Sequence, residues 1–200
     1  AKIVENTPDK RLLTDLVNHM PLPNDPNVPS PLKFLGYVPG ENNQLTYHKD
    51  IVRYYEALEK ATKRVRLWRI GKSEEGRDMV ALAVADEATI ANLQKYKDIT
   101  AQLTDPRKTN ETVARQLIAT GKPIYYASGS IHTPETGSPE MLMELAYRLA
   151  IDESPYIKNI RDHLITLITP ILEVDGRDRD RRNRGPRPAN PPRHRTACPT

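Results

Sequence analysis

Apolar residues recur along the chain first at a helical and then at a strand period. Leu12, Leu13, Leu16 and Val17 follow Thr7-Pro8-Asp9 at helical spacing, which predicts a helix capped there with proline in its first turn. Six prolines between residues 20 and 47 resist both helix and central strand and predict an extended segment wrapping a surface. Ile51, Val52, Tyr55 and Leu58 mark an amphipathic helix over about 49–63. Val65, Leu67 and Ile70 then alternate with Arg64, Arg66 and Arg69, while 79–85 is apolar in Val80, Leu82 and Val84. Two strands joined by the turn Gly71-Lys-Ser-Glu-Glu-Gly76 are expected.

Helices are predicted over 88–104 and 110–120, separated by Thr104-Asp-Pro-Arg. Pro123-Ile-Tyr-Tyr-Ala-Ser128 reads as a short strand entering a loop that contains glycine and serine. Ser138-Pro139-Glu140 is a helix start in which the serine caps a free amide, and Met141, Leu142, Leu145 and Leu149 line that helix to about 151. A short helix at 155–163 and an apolar run from Leu164 to Leu172 follow. Strands alternating with helices imply an α/β fold, and the hairpin makes its sheet mixed, with helices on both faces.

Charge divides the chain. The formal net charge is +4, but residues 177–200 hold eight arginines, two aspartates and five prolines with no Leu, Ile, Val, Met or aromatic residue. The first 176 residues carry 22 basic and 24 acidic side chains, so the basic character belongs to the tail, and a polyanion-binding fold is not implied. No run approaches the roughly 18–20 apolar residues of a membrane helix, and the mean hydropathy is −0.65. The single cysteine, Cys198, excludes an intrachain disulfide framework and a cysteine-rich zinc module. The start at Ala1, without an initiator Met or leader pattern, is expected of a processed, trimmed or fragmentary product.

Phosphate-loop, dinucleotide, nucleophile-elbow and His-Glu-x-x-His patterns do not occur. What remains is His132-Thr-Pro-Glu135, between a predicted strand and a predicted helix, where an α/β sheet presents its ligand-binding crevice. Imidazole nitrogen and carboxylate suit zinc, at about 2.0–2.2 Å from the metal. A plain loop histidine beside a helix-capping glutamate is the alternative reading of the pair by itself. His19 and His48 precede the sheet, where the plain reading is a partly exposed helix-end histidine; His163, in a predicted helix just before a strand, is a minor candidate for the metal, and His194, in the tail, a lesser one.

Gly71-Lys-Ser-Glu-Glu-Gly-Arg77, His132-Thr-Pro-Glu135 and Ile168-Thr-Pro-Ile-Leu-Glu-Val-Asp-Gly176 occur in the order and rough spacing that resembles the zinc carboxypeptidases, the carboxypeptidase A-like metallopeptidases. The resemblance covers about residues 48–176 and implies the N-terminal part of their catalytic domain, hence an incomplete fold. Residues 1–47 precede it as a helix and Pro-rich segment, and 177–200 follow as a disordered or out-of-frame tail. The resemblance implies that Zn2+ is the cofactor, that His132 and Glu135 are its first two ligands, and that the substrate is the C-terminus of a peptide or protein. It also implies a third ligand histidine and a general-base glutamate beyond this chain, which makes the chain inactive on its own. Glu173 and Val174 stand where the family has Asn and Pro, and Pro134 where many members have an arginine that helps bind substrate. A secreted or periplasmic setting is favoured.

Three origins of the tail compete, a frameshift, a genuine disordered arm and an unrelated end; the frameshift is favoured because the family resemblance breaks off before a third ligand, and translation of the coding DNA in the other two frames tests it. The alternative function is a non-catalytic α/β module that binds peptides, or nucleic acid through its basic arm. No aromatic residues interleave the arginines for base stacking, which counts against nucleic acid.

Overall fold

The computed structural model describes residues 2–15 and 17–184. Four strands, β1 (Val65–Lys72), β2 (Asp78–Val84), β3 (Ile124–Ser128) and β4 (Ile165–Thr169), form one sheet in the order β1-β2-β4-β3. β2 runs antiparallel to both β1 and β4, and β3 runs parallel to β4, so the sheet is mixed. The hairpin turn between β1 and β2 needs Gly76, whose φ of 79° is left-handed. The helices described are α1 (Lys2–Asn6), α2 (Pro31–Leu35), α3 (His48–Ala61), α4 (Glu87–Ala91), α5 (Leu93–Leu103), α6 (Glu111–Thr120), α7 (Gly137–Ile151), α8 (Pro155–His163) and α9 (Val174–Arg184). None is long and apolar enough to cross a membrane.

Periodicity explains which faces meet. Ile51, Tyr54, Tyr55 and Leu58 of α3 and Leu142, Met143, Ala146 and Tyr147 of α7 are buried together with Val80, Leu82, Val84 and Ile168 of the sheet. Ala83, Ala85 and Ile165 point the other way, where Ile90 of α4 and Leu93 and Tyr96 of α5 cover them. Helices therefore lie on both faces, and Val80–Val84 is buried throughout because β2 is central. β3 is different: it lies at the end of the sheet, with Ile124, Tyr125 and Tyr126 exposed.

Several expectations change in detail. Of the helix expected from Leu12, Leu13, Leu16 and Val17, the described residues form a 3-10 turn at Lys10–Leu12, with Leu12 and Val17 exposed; Leu16 lies outside the described residues. A helix that short needs a surface on which to bury its apolar face, and this one has none for those two residues. The Pro-rich segment does include a helix, α2, because Ser30 caps the Lys33 amide at 3.2 Å, Pro31 preorganises the first turn and Gly36 ends it at φ 84°. The single helix expected over 88–104 breaks at Asn92 into α4 and α5. Asp86 caps the first of these at the Thr89 amide.

The largest change concerns the end of the fold. The boundary expected at 176/177 falls inside α9, and Arg177 is fully buried. Its guanidinium donates to Glu140 Oε1 on α7, to the Thr46 carbonyl at 3.1 Å and to the Thr136 carbonyl at 2.7 Å. Glu140 also accepts from the Thr46 amide at 2.8 Å and the Thr46 hydroxyl at 2.7 Å. The Asp178 carboxylate accepts from the His48 amide at 3.0 Å, taking an orphan donor at the start of α3, where Tyr47 supplies no side-chain cap. The expected tail residues from 185 onward lie outside the described residues.

Breaking the buried pair leaves one uncompensated charge. Glu140→Gln and Arg177→Met should each cost about 3–5 kcal/mol in denaturant unfolding, and the double variant should cost less than either. Glu144, partly buried one turn further along α7, supplies a pH test. Burial pushes its carboxyl up, Arg148 opposes and Glu140 adds to the rise, leaving it at about 7 against an ordinary 4.5. Because the folded state holds this proton more tightly than the unfolded one, stability should fall as pH rises from about 4.5 to 7, by on the order of 2 kcal/mol. In Glu144→Gln that component of the pH profile, followed by thermal unfolding, should vanish.

Candidate metal centre

The loop that carries His132 and Glu135 grows out of the parallel β3/β4 pair. The last ladder partners are Ser128 and Thr169, and pairing continues past the strands. Gly129 N–H donates to the Thr169 carbonyl at 3.0 Å, Leu172 N–H to the Gly129 carbonyl at 2.9 Å, and Glu173 N–H to the Ser130 carbonyl at 3.0 Å. Gly129 permits this approach, since a Cβ there would lie 2.7 Å from the Pro170 carbonyl oxygen and 2.9 Å from a Leu142 methyl. Ser130 takes a left-handed φ of 52°, and its amide donates to Ser138 Oγ at 2.9 Å. Ser138 was expected to cap α7, but its hydroxyl is turned back to the loop, and the helix begins one residue earlier, at Gly137.

At the loop's tip His132 and Glu135 face each other. His132 Nδ1 lies 2.8 Å from Glu135 Oε1, and the His132 amide donates to Oε2 at 3.1 Å. The Glu135 amide returns a bond to the His132 carbonyl at 2.8 Å, which closes a four-residue turn. Those bonds, from the His132 ring first and its amide second, hold the Glu135 carboxyl below its usual range. Both side chains are open to solvent, at 71% and 49% exposure.

The donor set fits zinc in kind and direction. Two ligands at about 2.0–2.2 Å on one tetrahedral ion stand roughly 3.4 Å apart, so Nδ1 and Oε1 need to separate by only about half an ångström. Among the described residues no group of three or more His, Cys, Asp or Glu side chains could hold a metal. His163 Nδ1 is turned to the Asn159 carbonyl at 2.9 Å, His48 is buried at the start of α3, and His19 bonds to Asn18. His194 lies outside the described residues. Among the described histidines, His132 is the one that stands beside a carboxylate at this loop.

The third motif lies beside the loop as a brace. Asp175 accepts from Ser73 Oγ at 2.7 Å, from the Glu75 amide at 3.1 Å and from Arg77 Nη1 at 2.6 Å. Burial pushes its carboxyl up, but those three donors outweigh it and the carboxyl stays below its usual value. The hairpin motif and the Asp-Gly motif, about a hundred residues apart in sequence, are thus one contact. Glu173 reaches the other way, accepting from Thr133 Oγ1 at 2.7 Å and from the Gly176 amide at 3.0 Å. The sequence carried a signal for Asp175, through its motif, and none for Glu173, Glu140 or Arg177 as partners.

A pocket of about 500 Å³ borders the loop, lined by Ser128, Ser130, Ile131, Glu135 and Ser138 among others. A larger groove, of about 1320 Å³, lies on the sheet face beside α5 and is lined by Trp68, Tyr96, Ile124, Ile165 and Leu167. It contains neither His132 nor Glu135. The larger groove and the His132–Glu135 pair therefore lie in different places on the molecule.

A histidine and a glutamate thus stand together past the carboxyl end of a mixed-sheet strand, beside an Asp-Gly brace. The chain matches the zinc carboxypeptidase family over residues 51–198 and belongs to that family. The match continues past Gly176. No curated protein matches the chain. Among solved structures it is similar to thrombin activatable fibrinolysis inhibitor, with a TM-score of 0.51 and 17% identity over 76% of this chain and 29% of that one. It is also similar to carboxypeptidase A from Helicoverpa armigera, with a TM-score of 0.50 and 19% identity over 70% of this chain and 28% of that one. These identities make the likeness one of fold. The chain spans less than a third of the length of either structure.

Proposed function

We propose that this chain provides the first two zinc ligands, His132 and Glu135, of a carboxypeptidase that removes C-terminal residues from peptides or proteins. The observation that carries the reading is the convergence of His132 Nδ1 and Glu135 Oε1 at 2.8 Å on an exposed loop tip. Zinc held there supplies Lewis acidity toward the scissile carbonyl and lowers the pKa of a ligand water to about 7. The chain's own contribution is to hold two donors on a loop zipped to β4 and to keep the His132 ring turned toward Glu135. In this reading a third ligand and a general-base glutamate come from sequence beyond this chain, and the chain alone is inactive. A secreted or periplasmic setting is part of the same reading and rests on the resemblance.

The rival reading, a basic arm for nucleic acid, loses two of its eight arginines to the fold. Arg177 is buried against Glu140, and Arg179 pairs with Glu75. Arg177 is thereby withdrawn from phosphate contact, and such an arm would have fewer donors than one beginning at residue 177 offers.

Zinc binding by the purified chain tests the assignment. Competition against a chromophoric chelator should show about one zinc held weakly and lost in His132→Ala and in Glu135→Ala. Release of the terminal residue from a blocked dipeptide should be at background. Zinc binding that persists unchanged in both variants would overturn the ligand assignment, and turnover by the chain alone would overturn the claim that it is inactive.

A further inference from the structure

We propose that Glu173 is a positioning residue for the His132–Glu135 pair, acting through a latch on Thr133; this rests on the reading of that pair as zinc ligands. Glu173 holds the first limb of the loop and its tip. Its amide donates to the Ser130 carbonyl at 3.0 Å, before the pair, and its Oε2 accepts from Thr133 Oγ1 at 2.7 Å, between the two ligands. Its Oε1 accepts from the Gly176 amide at 3.0 Å, so both carboxylate oxygens are committed.

The latch occupies space that a side chain would otherwise fill. A Cβ at Gly176 would lie 1.7 Å from Glu173 Oε2 and 1.9 Å from Thr133 Oγ1, so the two groups meet directly over a bare backbone. The base of the latch is fixed from the opposite side. Asp175, two residues on, is bound to Ser73, the Glu75 amide and Arg77. The loop tip by contrast has little else to hold it, since His132 and Glu135 are exposed and bond to each other. A cation entering between them must break their mutual bond, and Thr133 is then the tethered residue that keeps the two donors in register.

A carboxylate is the group this geometry uses. It accepts from Thr133 and Gly176 with separate oxygens, whereas an amide at 173 has one acceptor oxygen and presents donors to the other partner. Groups that orient metal ligands from behind commonly change metal affinity about 10–100-fold when removed.

The test measures zinc affinity of the full chain by chelator competition, together with hydrogen exchange of the amides of residues 131–136 and global thermal unfolding. Glu173→Ala and Thr133→Val should each weaken zinc about tenfold or more and speed exchange at the Glu135 amide. The double variant should be no weaker than the worse single one, and Glu173→Gln should lie between wild type and Glu173→Ala. Thr133→Val is nearly isosteric and keeps the proposal testable if Glu173→Ala unfolds. Unchanged zinc affinity in Thr133→Val, or additive losses in the double variant, would overturn the latch. If His132→Ala binds zinc as wild type does, the ligand reading itself has failed, and faster loop exchange in Thr133→Val would then show a latch with no metal role.

Discussion

Arg177 and Glu140 form an ion pair with the guanidinium fully buried and the carboxylate nearly so. Removing two such charges from water costs several kcal/mol each, and only close pairing with further hydrogen bonds offsets it. Both conditions hold. The guanidinium also donates to the carbonyls of Thr46 and Thr136, and the carboxylate also accepts twice from Thr46. One contact therefore joins the extended N-terminal segment, the end of the His132–Glu135 loop, α7 and α9. Remove either charged partner and the other is stranded, whereas loss of the Thr46 or Thr136 contacts leaves the pair with fewer hydrogen bonds to offset its burial.

From that contact the site follows in steps. The Thr136 carbonyl, which Arg177 holds, is the residue after Glu135. On the other limb, backbone bonds from β4 and its extension fix Gly129 and Ser130. Between those two anchors the loop stands at the strand end, and its tip presents His132 and Glu135 to solvent. The second charged cluster, Asp175 with Ser73 and Arg77, ties the hairpin to the start of α9 and keeps the Glu173 carboxylate beneath Thr133. A rigid base and an open tip suit a site that must accept a cation without the loop collapsing onto it.

The sequence revealed local and periodic features better than partnerships. Ile51, Val52, Tyr55 and Leu58 gave α3 within two residues at either end, because a buried stripe at helical spacing is written in consecutive residues. That His132 and Glu135 lie on a loop between a strand and a helix was legible from the β-type run before them and the helix start after them. Arg177 was not. It sits in a run of arginines, and counting charge by region assigned it to a solvated tail, although its own side chain is among the most deeply buried in the fold. Ser138 failed for a related reason: its local role as a cap lost to a bond with the Ser130 amide, whose position depends on the sheet. The helix expected near Leu12 lacked a tertiary surface, which no periodicity can report.

The central claim is that one imidazole and one carboxylate of this loop hold the metal, and zinc K-edge X-ray absorption on the zinc-loaded chain addresses it most directly. The account predicts one imidazole shell at about 2.0–2.1 Å with oxygen neighbours at about 2.0–2.2 Å. Imidazole scattering should disappear in His132→Ala. An imidazole shell that survives that substitution, or a sulfur shell from Cys198, would contradict it.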